Sequence, residues 1–358
     1  MMKKDKLLEA LNIASRVTPA KPILPILGSA LMTCFGGKLV VNATNLELTV
    51  EVETEGDGEF RLAVPSKKLN EIVSNLTDED VYLSQDGETL KIKCGKYRGQ
   101  IKGLNPEDFP IRDFGTDMRY VNVVEFREQT QSVTYASSTD ELRPISGVLL
   151  EAEGSKLRMV STDGFRLALA EESYDTDFPK TTVLVPNSGL REVYKILNTV
   201  KADKVGLSIG ESVTLYIEGT SKVRVDILPL SGNFPTYERI IPESCAMEVV
   251  VHRNSIINAC KQVNVISKES NGFAKMKFGN GITISSYNDG VGNTEVGVDA
   301  EVKDELEVGV NINYLMDALN SINTAEAVFE LGTSTTPIAI KNTSDKNQLH
   351  IIMPMRIQ

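Results

Sequence analysis

The sequence predicts an α+β protein of three structurally similar domains, each with two helices packed on antiparallel sheets. Three observations lead there. Runs starting at Val64, Val185 and Val310 each pass from a strand-like valine through a Ser or Asn into an amphipathic helix, at spacings of 121 and 125 residues. A second helical stripe recurs at nearly the same period. Between the helices lie alternating segments broken by Asp-Gly or other polar turns, the pattern of hairpins.

The elements follow in chain order. Leu7, Ala10, Leu11 and Ala14 stand at i, i+3, i+4 and i+7, one face of a helix over 3–17. Residues 39–44 and 46–52 alternate as a strand pair. Val64-Pro65-Ser66 opens a helix over 65–76 with a stripe of Leu69, Ile72, Val73 and Leu76, and Ser66 is placed to cap it. Residues 81–103 read as further hairpins. The second repeat begins with a helix over 125–139, where Phe126, Val133 and Ala136 alone supply apolar positions. Strands 157–162 and 165–170 flank Asp163-Gly164, a helix over 186–197 takes Asn187 as its cap, and strands fill 205–230. The third repeat has a helix over 252–267 through Ile256, Ala259, Cys260 and Val263, strands around Asp289-Gly290, a helix over 310–322, and strands from 328 to 355. Turn-rich joins at 103–110 and 230–235 divide the chain into domains 1–121, 122–244 and 245–358.

The 358 residues are 41% hydrophobic and 24% charged, the composition of a folded chain. The basic start, Met1 to Lys6, lacks a following apolar core, so no secretory signal is expected, and no run of about 18 apolar residues marks a membrane span. Cys34, Cys94, Cys245 and Cys260 are scattered, without a Cys-x-x-Cys. They read as small buried side chains of a reducing, cytoplasmic compartment, not as a zinc site or disulfide framework.

Chemistry is poorly supplied. There is no Gly-x-x-x-x-Gly-Lys-Ser/Thr, no Gly-x-Gly-x-x-Gly after a strand and no Gly-x-Ser-x-Gly, and the only histidines are His252 and His350. Glu107/Asp108, Glu171/Glu172 and Asp78/Glu79/Asp80 fall in turns or at strand ends and read as solvated charge; Asp163 reads as a turn residue. No catalytic residue, cofactor or metal is expected. Net charge is −11, unevenly spread: the six helical segments hold 11 Lys and Arg against 7 Asp and Glu, the rest 27 against 42. A relatively positive helical layer suits weak, salt-sensitive contact with a polyanion. Helices also favour Lys and Arg on solvated faces without any ligand, so charge alone leaves both readings open.

Several local sequences then point one way together. The threefold repeat, Leu24-Pro25-Ile26-Leu27, Ser161-Thr162-Asp163-Gly164-Phe165-Arg166-Leu167-Ala168, Asn233-Phe234-Pro235 with Tyr237, and Met353-Pro354-Met355-Arg356 resemble the bacterial sliding clamp, the β subunit of the replicative DNA polymerase, over essentially the whole chain. The resemblance implies a non-catalytic, ring-shaped homodimer. Each chain forms half of a closed ring, with inner helices around duplex DNA held topologically and without sequence preference. It also implies a groove for a short, partly apolar peptide from the replicative polymerase, the clamp loader and other clamp-binding proteins. By similarity that groove is lined by Ile145, Thr162, Gly164, Phe165, Arg166, Leu167, Pro235, Arg239, Ile240, Asn311, Tyr314, Pro337, Met353, Pro354, Met355 and Arg356. Methionines there can re-pack around different ligands, and Arg166 and Arg356 can hold peptide carbonyls or carboxylates. DNA contacts fall at Lys21, Lys67, Lys68 and Arg143, and the dimer seam at Lys96, Arg98 and Ile101 on one side and Val265 and Ile266 on the other. Phe165 stands where many members have His, Gln358 extends the usual terminus, and the third-domain edge strand carries few acids. Two rival readings stay open here: a metal-dependent nucleic-acid enzyme using carboxylates, and a β-rich scaffold without a DNA role.

Overall fold

A computed structural model describes residues 1–140, 143–343 and 347–357; Gln358 lies outside them. Among the described residues the α-helices are α1 (Lys4–Val17), α2 (Ser66–Ser74), α3 (Val123–Val133), α4 (Asn187–Thr199), α5 (Arg253–Ser267) and α6 (Ile312–Ser321), two to each predicted repeat. None is long and apolar enough to cross a membrane. The predicted stripes are buried: Leu7, Ala10, Leu11 and Ala14 in α1, Leu69 and Val73 in α2, Ile256, Ala259, Cys260 and Val263 in α5.

The chain groups into two compact units, residues 1–127 with 174–230, and residues 128–173 with 231–358. The division runs through the middle repeat because each unit is organised by a sheet that two repeats share. In the first unit an eight-stranded sheet runs, in spatial order, Phe60–Pro65, Ser29–Phe35, Lys38–Thr44, Leu48–Glu55, Lys222–Ile227, Val213–Glu218, Lys204–Ile209 and Arg119–Asn122. First- and second-repeat strands meet in an antiparallel ladder, from Glu53 opposite Lys222 to Leu48 opposite Ile227. A four-stranded sheet of Met2–Lys3, Asp80–Asp86, Thr89–Cys94 and Tyr97–Lys102 leaves the last strand as an edge. Helix α1 packs on α2, where Asn70 Nδ2 donates to Asn12 Oδ1 at 3.0 Å and Ser15 Oγ at 3.1 Å.

The second unit repeats the plan. Its six-stranded sheet runs Gly147–Thr162, Arg166–Pro186, Gln348–Ile352, Ile338–Asn342, Glu326–Leu331 and Met247–His252, the second-repeat hairpin lying beside third-repeat strands. A four-stranded sheet, Gly292–Val298, Gly281–Asn288, Phe273–Gly279 and Leu306–Asn311, has Gly292–Val298 as an edge. Helix α5 packs on α6, and Asn264 Nδ2 donates to Asn313 Oδ1 at 3.1 Å. Behind them Phe278 and Phe329 meet with ring centroids 6.5 Å apart. Cys260 lies in this core, and burial pushes its thiol up to about 12, so it serves as an apolar side chain.

Four expectations need correction. Ser66 and Asn187 do not occupy the capping position: Pro65 and Pro186 do, and neither makes a side-chain cap bond. Strand passes straight into helix there, so Ser66 falls inside the first turn with its hydroxyl buried and unbonded. Asn311 alone of the three caps, its Oδ1 accepting from the backbone N–H of Asn313 and Tyr314. The middle repeat's first helix covers Val123–Val133 instead of 125–139. Its stripe looked weak because Gln129, Thr130 and Ser132 occupy buried positions; Gln129 Nε2 donates to the carbonyls of Leu157 and Ala170 at 2.7 and 3.2 Å. Glu171 is no free surface charge: Lys156 and Arg158 hold it at 2.8 and 2.6 Å, and their hydrogen bonds lower its pKa. Cys245 is only partly covered, unlike the other three cysteines.

The two capping positions make a paired prediction for urea unfolding. Asn311→Ala should destabilise by about 1 kcal/mol, whereas Ser66→Ala, which removes a buried hydroxyl without a partner, should leave the midpoint unchanged or raised.

Candidate functional site

All sixteen predicted groove residues lie in the second unit. Their framework is a hairpin. Gly164 turns it with φ +92°, a conformation that favours glycine. Asp163 closes the turn: its Oδ1 accepts from the N–H of Phe165 and Arg166 at 2.9 and 3.1 Å. Thr162 Oγ1 accepts from Gly164 N–H at 3.0 Å and donates to the Arg166 carbonyl at 2.6 Å. Asp163 is thus the turn residue the sequence suggested. The turn pushes the Phe165 ring outward, 64% exposed.

The chain terminus is laid against this hairpin. Residues 166–170 pair antiparallel with Gln348–Ile352, Arg166 opposite Ile352 and Leu167 opposite Ile351. Met353 N–H donates to the Phe165 carbonyl at 2.9 Å, and Met355 N–H to the Gly309 carbonyl at 2.8 Å. Pro337 precedes Ile338, which also faces Ile352. Phe165, Arg166, Leu167, Pro337, Met353 and Met355 are therefore brought together by backbone pairing.

Arg166 is held by charged and aromatic neighbours. Its guanidinium carbon lies 4.4 Å from the Tyr314 ring centroid and 5.3 Å from that of Tyr135. Nε donates to Asp163 Oδ2 at 2.9 Å and Nη1 to Asp317 Oδ2 at 2.5 Å. Burial alone would lower its pKa, but the Asp317 hydrogen bond and the charges of Asp163 and Asp317 outweigh this and raise it. These two ion pairs tie the hairpin to α6. Arg356 is exposed, with no ion pair among the described residues.

Behind Tyr135 lies His350, fully buried. Tyr135 Oη is 3.0 Å from His350 Nδ1, and Ser321 Oγ is 3.3 Å from Nε2 and donates to the Ala318 carbonyl. One assignment satisfies every group: Tyr135 donates to Nδ1, and Nε2–H donates to Ser321. Burial keeps the imidazole neutral, lowering its pKa to about 4. Tyr135, Asp317 and His350 escaped the sequence reading. Tyr135 lay within a weak helical stripe, and nothing local marked Asp317 or His350 as partners of residues far away in the chain.

Other predicted residues are held by further contacts. Tyr237 fastens the segment carrying Pro235, Arg239 and Ile240, donating to Glu151 Oε2 at 2.7 Å and accepting from Arg158 Nη1 at 3.1 Å. Pro235, Arg239 and Ile240 remain at the surface. Ile145, in a 3-10 turn, is half-buried, and its carbonyl accepts from Ser138 N–H. Lys21, Lys67 and Lys68 are exposed in the first unit; Arg143, exposed in the second, has Asp140 at 3.8 Å. Of the residues expected at the dimer seam, Lys96 and Arg98 are exposed and Ile101 half-buried on or beside the edge strand Tyr97–Lys102, and Arg98 donates to the carbonyls of Gly95 and Tyr97. Val265 is 68% exposed near the end of α5, with Ile266 half-buried. No group of three or more His, Cys, Asp or Glu among the described residues could hold a metal.

The buried imidazole makes a pH prediction. With a folded pKa near 4 against an ordinary 6.5, His350 contributes stability that is present above pH 6.5 and lost as pH falls toward 4. Urea unfolding at stepped pH should show the parent chain losing on the order of 3 kcal/mol more than His350→Gln across that window.

Comparison with known proteins agrees with this geometry. Residues 1–113, 120–236 and 238–356 match, in turn, the N-terminal, central and C-terminal domains described for the DNA polymerase III beta subunit. The chain is 28% identical to the beta sliding clamp of Pseudomonas aeruginosa and 26% identical to that of Vibrio cholerae, each over 99% of both chains. Among solved structures, the Thermotoga maritima DNA polymerase III beta subunit superposes with a TM-score of 0.91 at 28% identity, covering 100% of this chain and 99% of that one. A P. aeruginosa sliding clamp bound to griselimycin gives 0.92 at 25% identity, covering 99% and 98%. Three successive domain matches in order, over a threefold α+β repeat, mean that the chain belongs to the DNA polymerase III beta subunit family, the beta sliding clamps.

Proposed function

We propose that two copies of this chain close head to tail into a ring around duplex DNA and tether the replicative polymerase to it. The domains are 1–121, 122–244 and 245–358, three from each copy. The work is mechanical and needs no catalytic group or cofactor. A closed ring stays on DNA by topology, so contacts from Lys21, Lys67, Lys68 and Arg143 need only be weak and indifferent to sequence; tight phosphate binding would impede sliding. A chain of net charge −11 is suited to that. Ring closure would join the edge beside Lys96, Arg98 and Ile101 of one copy to the end of α5 at Val265 and Ile266 of the next. The bacterial cytoplasm is the compartment in which such a clamp works.

The hairpin and tail form the recruitment site, and the observation that carries this reading is the joining of Met353 to Phe165 by a backbone hydrogen bond. It places two exposed apolar side chains on adjoining, backbone-paired segments, an anchor for apolar residues of a partner peptide from the polymerase, the clamp loader or other clamp-binding proteins. Methionine is unbranched and polarizable, so one site can accept several sequences.

Protein loaded onto nicked circular DNA should stay associated through gel filtration and escape once the circle is cut. Equal retention on both forms would exclude a topological link. Deleting residues 353–358 should abolish binding of partner peptides while light scattering still reports a dimer; unchanged peptide affinity would place the recruitment site elsewhere.

A further inference from the structure

A cavity of about 860 Å³ opens on the outer face of the sheet formed by residues 273–311. Strand alternation explains its floor. Ala274, Met276 and Phe278 point into the core, which turns Phe273 and Lys275 outward. Tyr287 stands beside them, 63% exposed, and Ile357 of the tail is 42% exposed at the opposite wall. Exposed aromatic and branched side chains around one concavity mark a binding surface more often than chance does. The wall is also built in advance: Ser286 Oγ donates to the Phe273 carbonyl at 2.8 Å, and Ser270 Oγ to the Tyr287 carbonyl at 3.1 Å.

Two connections tie this cavity to the recruitment site. Met355 and Arg356 belong to both. Asn311, which caps α6, donates through Nδ2 to the carbonyl of Asn271 on the cavity wall at 3.4 Å. Charge gives the second half of the argument. Arg166 is neutralised by Asp163 and Asp317, and Lys275 has Glu307 at 3.7 Å, whereas Arg356 has no carboxylate partner among the described residues. Glu295 also lines the cavity, so its charge is mixed, and Arg356 supplies the positive end where groove and cavity join.

We propose that the cavity is a second docking site for the same partner segment, taking the residues that flank the groove-bound peptide. Resting on the groove reading above, it asks for an extended flank with an aromatic side chain for the Phe273–Tyr287 floor and a carboxylate for Arg356. Acidic partners are repelled by most of this chain, so a local cation beside an aromatic floor makes the flank selective.

The test uses fluorescence anisotropy with acetyl-Leu-Ser-Leu-Phe-amide as the core probe, and the same peptide carrying Glu-Phe at either end. One extended peptide should bind about tenfold tighter than the core. Tyr287→Ala and Lys275→Glu should erase that gain and leave core affinity unchanged. Equal binding of core and extended peptides, or a gain that survives Tyr287→Ala, overturns the proposal. A Tyr287→Ala chain of altered mass by light scattering also overturns it, because a second copy would then cover the cavity. Core binding unchanged by Phe165→Ala, which leaves the cavity lining intact, sinks the groove reading instead, whereas absence of the flank gain alone overturns only the cavity.

Discussion

The arrangement of the hairpin and tail depends on five backbone pairings between residues 166–170 and Gln348–Ile352, a ladder that joins segments about 180 residues apart in sequence. Gln348–Ile352 is buried along its whole length, and side chains alternate across a strand, so a slip of one residue would carry His350 to the other face, away from Tyr135 and Ser321. Those buried polar contacts lock the register, and the register decides that Met353 falls beside Phe165. The apolar chemistry of the site is a consequence of core packing one residue away.

A second constraint is electrostatic. Arg166 is mostly covered, and a guanidinium taken out of water needs close counter-charges. Asp163 and Asp317 supply them, with Tyr314 and Tyr135 on its faces. The cluster acts as a rivet among hairpin, α6 and the segment after α3. Tyr135 is in turn held by a neutral His350, so protonating that imidazole would put an unpaired charge in the core. Phe165, Met353 and Arg356 lie outside this cluster and remain exposed.

Sheet continuity is the third theme. A ladder between successive repeats makes the seam as well bonded as the interior of a sheet, which is why compactness divides the chain inside its middle repeat. Each unit still leaves a short edge strand, Tyr97–Lys102 in the first and Gly292–Val298 in the second. Unpaired edges invite further strands, and in a ring-forming family that tendency has a use.

The amino-acid sequence alone determined the repeat, the helical stripes and the hairpins, because periodic burial is written locally: Leu69 and Val73, or Ile256 and Cys260, sit on one helical face whatever lies beyond. The Thr162–Leu167 turn was legible for the same reason, since Asp163 and Gly164 act within four residues. What only tertiary structure decided were the groups whose partners lie far away in the chain. Asp317 meets Arg166 from 151 positions away, and Tyr135 and His350 are separated by 215. Gln129 and Ser132 blurred the α3 stripe because a buried polar side chain becomes readable only once its acceptor is known. Local periodicity reports which face is covered; it carries no information on which distant group covers it.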